Sequence, residues 1–133
     1  MKIAFISTHG AVRGIIAETV AKKLSRLALL NTEIYSAGVE PAQDVPAEVL
    51  QVLKEKGYSV DKLSPKGIKD IPYESIQVLV TLSPEARDRC PYHESHMRRE
   101  HWTLEEVKTL DRHELLKLTE QIENLMKALF KLS

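Results

Sequence analysis

Ile3, Ala4, Phe5 and Ile6 form an unbroken apolar run, which predicts a strand beginning at residue 2 or 3 and covered on both faces. A short loop with Gly10 and Gly14 follows. Ile16, Val20 and Leu24 then recur at four-residue steps, the spacing of an amphipathic helix. Two further segments, 33–39 and "SIQVLVTL" over 75–82, are dense in apolar and β-branched residues without alternation and read as strands of the same parallel sheet. Between them, "VPAEVLQVLKEKG" sets Val49, Leu50 and Leu53 on one face, with Pro46 in the first turn and Gly57 at the exit. From Asp111 onward, Leu115, Leu118, Ile122, Leu125 and Leu129 recur at three- and four-residue steps with charges opposite, predicting a closing helix. A fourth short strand is predicted near "REHWTL". The order β-α-β-α-β-β-α predicts an α/β three-layer sandwich with a mostly parallel sheet.

In that architecture the loop after the first strand lies at the carboxyl edge of the sheet, where ligands bind. A strand, a tight turn and a helix start bring amide N–H groups and the helix dipole to one point, a seat for phosphate or a similar oxyanion. Arg13 adds a charged fork there.

Composition narrows the classes of function. A chain of 133 residues suits one domain, 1–133, that buries roughly two thirds of its unfolded surface without a metal, disulfide or cofactor. Nineteen basic and nineteen acidic residues cancel, so no strong field attracts nucleic acid or an anionic membrane. The early first strand leaves no room for a signal peptide, and no apolar run reaches membrane-spanning length, which implies a cytoplasmic protein. The single cysteine, Cys90, excludes an internal disulfide and suits a reducing compartment. No repeat, linker or low-complexity tract interrupts the chain, and no pattern signals an oligomeric state.

Ser7 and Arg13 are separated by five residues, and "GIIAE" follows. A nucleophile, five residues and an arginine is the phosphate-loop spacing of tyrosine phosphatases. The chain resembles the low-molecular-weight protein tyrosine phosphatases, and most closely their relatives, the thioredoxin-coupled arsenate reductases. The resemblance continues through "IYSAGVEP", "VLVTLS", "CPYHESHMRREHW" and the closing helix. It implies a four-stranded parallel sheet flanked by helices, in a flavodoxin-like sandwich.

The departures from the family pattern bear on activity. The family's cysteine nucleophile is Ser7 here. A loop of amides with an arginine lowers a thiol pKa to roughly 3.5–7.5, whereas a serine hydroxyl needs an adjacent base. The family's general-acid aspartate and the proline after it align with Glu106 and Val107, and its arsenate-reducing relay thiols align with Ser83 and Cys90. The loop asparagine becomes Gly10, the second loop cysteine becomes Val12, and the serine after the arginine becomes Gly14. A lone Cys-to-Ser exchange would account for Ser7 but not for Ser83, Gly10, Glu106 and Val107.

The binding parts remain. Arg13 and the amides of Thr8, His9, Gly10, Ala11, Val12 and Gly14 imply an oxyanion loop for phosphate, sulfate, arsenate or a phosphorylated protein. His9 reads either as a rim group tuning the anion's protonation or as a solvent-facing loop residue. Glu18 and Ser36 read as braces under the loop, and Trp102 as a core or pocket-wall aromatic. The leading expectation is an inactive, phosphatase-like pseudoenzyme. The alternatives are a weak phosphatase or arsenate reductase using Ser7 or His9 with Glu106, and a metal- or redox-responsive regulator. The last would use Cys90, His93, His96 and His101, whose spacing matches no standard zinc pattern.

Overall fold

The computed structural model of the chain describes residues 1–91 and 93–131. In chain order come β1 (Lys2–Ser7), α1 (Arg13–Leu27), β2 (Glu33–Gly38), α2 (Ala47–Glu55), β3 (Val78–Thr81), α3 (Pro84–Arg89), β4 (Arg98–His101) and α4 (Arg112–Leu129). Two short 3-10 turns, Ile68–Asp70 and Tyr73–Ser75, precede β3. The strands form a parallel sheet in the order β2-β1-β3-β4, with Ile3 opposite Ile34 on one side and Val78 on the other. This is the α/β architecture expected from the apolar runs. Among the described residues, no helix is long and apolar enough to cross a membrane.

The strand period of two divides β1 between two cores. Ile3 and Phe5 pack with Ile15, Ile16, Leu53, Leu115 and Ile122, on the face covered by α1, α2 and α4. Ala4 and Ile6 pack with Ile76, Leu79, Ala86 and Cys90 on the other face. That second face is closed by α3 and the segment 68–76, so its helical layer is thin. Trp102 is buried, its ring 5.7 Å from that of Phe5, which makes it a core aromatic.

Several local features differ from the sequence pattern. A helix, α3, stands between β3 and β4 where two successive strands were expected. Its six residues bury only Ala86, too little for a helical period to show. Its start is nonetheless written in the chain: the Ser83 hydroxyl caps the Ala86 N–H at 3.1 Å, and Pro84 takes the first position. In α2 the buried stripe is Val49, Val52 and Leu53, while Leu50 is half-buried. Pro46 is the cap rather than part of the first turn. In α4, Met126 is fully buried and Leu125 only half-buried, the drift that 3.6 residues per turn imposes on a long stripe. Asp111 caps α4, accepting from the His113 N–H at 2.9 Å.

β1 lies between β2 and β3, and the chain leaves it first to one side and then to the other. The crevice at the carboxyl ends of β1 and β3 is therefore the topological switch point. The loop 8–12 sits there.

Candidate functional site

The loop is held from behind. The carbonyls of Ser7, Thr8 and His9 accept from the N–H groups of Val39, Glu40 and Ala42 at 3.1, 2.7 and 3.0 Å, extending the β1–β2 pairing past the sheet. Gly10 then turns the chain with φ +65°, a left-handed conformation that glycine adopts without steric cost. α1 begins at Arg13, behind a Val12 cap that offers no side-chain acceptor. The helix thus presents its first amides, and the positive end of its dipole, to the loop.

A cavity of about 120 Å³ opens inside this turn, lined by Ser7, His9, Gly10, Ala11, Val12, Arg13, Glu106 and Val107. The family alignment of Ser7, Arg13 and Glu106 therefore corresponds to one place in the fold. Ser7 is buried, and its Oγ accepts from the Gly10 N–H at 2.9 Å. Among the described residues, no carboxylate or imidazole hydrogen-bonds that hydroxyl. Arg13 is half-buried and donates through Nη1 to the Leu82 carbonyl at 3.4 Å. Burial pulls its pKa down, and the nearby Glu106 and Glu85 carboxylates oppose that pull; a guanidinium stays charged in any case. His9 is exposed at the rim and donates from Nδ1 to the Glu40 carbonyl at 3.0 Å, which leaves Nε2 as the acceptor.

Two of the loop residues face elsewhere. Thr8 Oγ1 lies 2.8 Å from Ser83 Oγ and 3.2 Å from Glu85 Oε2, tying the loop to the start of α3. Gly14 packs against Ser7, whose Oγ would be 2.9 Å from a Cβ at that position. Beneath the loop, Ser36 donates to Glu18 Oε1 at 2.5 Å and Lys22 holds Oε2 at 2.5 Å. Glu18 is 2% exposed, and this pair of partners makes it a strut between α1 and β2.

Sequence reasoning missed two residues. Glu85 adds a second carboxylate at the mouth; its own backbone N–H, the Thr8 hydroxyl and Arg13 hold its pKa below the ordinary value. The signal was its place in "SPEA", two residues after a serine cap. Gly38 is the other: a Cβ there would meet the backbone of His9 and Gly10 at 2.5 and 2.6 Å, and the glycine closing "SAG" was its only mark.

The second constellation does not converge. Cys90 is buried under Tyr73 on the far face of the sheet; burial pushes its thiol pKa up, against the Tyr73 hydrogen bond and Arg99. Ser83 and Cys90 stand at opposite ends of α3. His93 Nδ1 accepts from the Ser95 N–H at 3.1 Å, His96 Nε2 donates to the Tyr73 carbonyl at 3.2 Å, and His101 Nδ1 pairs with Thr81 Oγ1 at 2.8 Å. Among the described residues, no three His, Cys, Asp or Glu side chains form a group fit to hold a metal ion. A larger open groove of about 910 Å³, lined by Gly38, Gly67, Ile71 and Tyr73 among others, carries no arginine or histidine.

With this fold and loop in view, a family model for low molecular weight phosphotyrosine protein phosphatase matches residues 2–132, and the chain belongs to that family. The arsenate reductase of Bacillus subtilis is 31% identical over 102 residues, covering 75% of this chain and 69% of that protein. The thioredoxin-dependent arsenate reductase of Corynebacterium glutamicum superposes with a TM-score of 0.80 at 26% identity; the match covers 98% of this chain but only 60% of that one. The YwlE arginine phosphatase, solved as a cysteine-to-serine mutant with a phosphorylated active-site serine, shares the fold at a TM-score of 0.82 and 19% identity, over 98% of this chain and 94% of its own.

Proposed function

We propose that the chain is a phosphatase-like protein without turnover that holds a phosphate-like oxyanion, free or carried on a phosphorylated protein, in the cavity between Arg13 and Glu106. The observation that carries this reading is the state of Ser7: its hydroxyl accepts from the Gly10 N–H and, among the described residues, hydrogen-bonds no carboxylate or imidazole, while Arg13 lines the same cavity. Losing the nucleophile of a serine protease costs about a millionfold in rate, on the order of 8 kcal/mol of barrier. An unactivated hydroxyl in place of a thiolate is a loss of the same kind. Glu106 compounds it, because about 1 Å of misplacement in a catalytic group costs roughly a hundredfold. Binding has no such requirement. Charge-assisted hydrogen bonds contribute roughly 1.5–3 kcal/mol each, and a few of them hold an anion in the micromolar to millimolar range. The relatives' names, arsenate reductase and phosphotyrosine phosphatase, concern the same tetrahedral chemistry. A cytoplasmic setting belongs to the same reading, since Cys90 is a free thiol.

Thermal melts in phosphate, sulfate and arsenate test it. Each anion raises the melting temperature, by the linkage that stabilises any folded state with a ligand, and Arg13→Ala abolishes the rise. Aryl phosphate hydrolysis stays at background. A flat melting profile at tens of millimolar anion overturns the binding site, and turnover removed by Ser7→Ala overturns the inactivity.

A second reading is favoured by the phosphorylated serine in the YwlE mutant structure. Ser7 Oγ attacks an aryl phosphate dianion and passes its proton to a non-bridging phosphoryl oxygen, the bond from phosphorus to the ester oxygen breaks, a protonated Glu106 gives its proton to the departing phenolate, and the phosphoryl group stays on Ser7. Intact-mass analysis after prolonged incubation decides: a phosphoryl adduct mapped to Ser7 supports this reading, and an unmodified chain removes it.

A further inference from the structure

At the end of the molecule opposite the loop, α1 stops in a Schellman turn: the Leu30 N–H reaches the Ser25 carbonyl at 2.9 Å and the Leu29 N–H reaches the Arg26 carbonyl at 3.1 Å. The residue after the cap in such a turn takes the left-handed conformation and is usually glycine. Here it is Leu29, at φ +56° and 92% exposed. A bulky residue is held in a strained backbone state and directed into water, where it returns nothing to the fold. Leu27 and Leu30 are exposed beside it, at 68% and 41%.

Leu29 and Leu30 border an open groove of about 560 Å³ that Ile34 floors and Lys22 and Arg26 flank. The exposed side of α1 carries Lys22, Lys23 and Arg26; its one carboxylate, Glu18, is buried and paired with Lys22, which leaves Lys23 and Arg26 as the uncompensated charges. Arg26 makes no ion pair among the described residues. The chain as a whole has equal numbers of acidic and basic residues, so this is a local concentration of positive charge around an apolar recess.

We propose that this groove docks an acidic segment of another protein, an apolar side chain seated between Leu29 and Ile34 with a flanking carboxylate against Arg26. A second copy meeting this face in two-fold fashion would bring cations against cations. A planar bilayer cannot enter a recess, whereas a protruding peptide can.

The test uses the isotope-labelled full chain and a synthetic peptide of two leucines flanked by glutamates, with a lysine-flanked version as control. The glutamate peptide shifts the amides of residues 26–32 and 34 in a saturable way, and the lysine peptide does not. Leu29→Gly relieves the backbone strain, so it melts at or above the parent temperature while losing at least tenfold in peptide affinity; Arg26→Glu loses as much without unfolding. Equal response to both peptides, undiminished binding by Leu29→Gly, concentration-dependent self-association without peptide, or equal binding to anionic vesicles overturns the proposal.

Discussion

Gly38 and Gly10 stand back to back where β2 ends: a Cβ on Gly38 would fall 2.6 Å from the Gly10 nitrogen, and one on Gly10 would fall 2.9 Å from the Gly38 nitrogen. Atoms that close belong to backbone, which cannot rotate aside as a side chain can. The loop keeps its curl because neither residue has a side chain.

Gly38→Ala therefore pushes the loop off β2. The expected cost is about 1–3 kcal/mol, the range for overpacking a tight site. At roughly 4 °C per kcal/mol for a domain of this size, that is a visible drop in melting temperature. The anion-induced rise in melting temperature is lost as well, because the carbonyls of Ser7 to His9 are registered on this edge. A variant that melts like the parent and still responds to phosphate would show that the loop does not lean on this contact.

Two carboxylates, Glu85 and Glu106, act on the single guanidinium of Arg13. Glu85 is the more separable of the two, since it lies outside the cavity lining and hydrogen-bonds the loop at Thr8, which also reaches Ser83. Glu85→Gln removes one charge that repels an incoming anion, so phosphate affinity rises severalfold at low salt. The gain shrinks as ionic strength increases, because an exposed charge is screened. Isothermal titration with phosphate at two salt concentrations reads this directly. Unchanged or weaker binding would mean that Glu85 serves the loop through its Thr8 contact instead.

Ser7→Cys tests how far the loop still suits sulfur. The Gly10 N–H and Arg13 favour a thiolate at this position, so the introduced thiol titrates below the ordinary value of about 8.5. It then alkylates rapidly near neutral pH. Cys90, buried and shifted the other way, alkylates only on unfolding. Thioredoxin-linked arsenate reduction stays at background in the same variant, because Ser83 leaves only one thiol of the relay. Rates for the two thiols separate by mass spectrometry of tryptic fragments. Comparable rates, or robust arsenate turnover, would contradict the expectation.

The sheet, the closing helix and the loop were legible because each rests on a local pattern: the apolar run of β1, the leucine and isoleucine steps from Asp111 onward, the spacing of Ser7 and Arg13. What escaped depends on the chain returning to the loop from a distance. Glu85 reaches Thr8 across more than seventy residues, and Gly38 matters only because the His9 backbone lies on it. α3 was hidden for the opposite reason, since a single buried alanine generates no period. The choice of Val52 over Leu50 on α2 shows that a binary pattern ranks faces correctly while the crossing of helices decides which edge of a stripe is covered.

His96 sets a stability limit on the acid side. It is 5% exposed, beneath Tyr73 and beside Arg99 and His93, and burial first, then these two neighbours, hold its pKa below the ordinary 6.5, against the hydrogen bond to the Tyr73 carbonyl. Above about pH 8 the side chain is neutral in both folded and unfolded chains, and it contributes no pH dependence. As pH falls through 6.5, the unfolded chain binds a proton that the folded chain refuses. Stability then declines by at most about 1.4 kcal/mol per pH unit. The decline ends where pH passes below the folded-state pKa, because both states are then protonated. Thermal melts from pH 5 to 7.5 reveal the slope, and His96→Gln isolates its source: the variant is less stable at pH 7.5 for want of packing, yet its curve is flatter on the acid side. Parallel curves for the two proteins would assign the acid sensitivity to other groups.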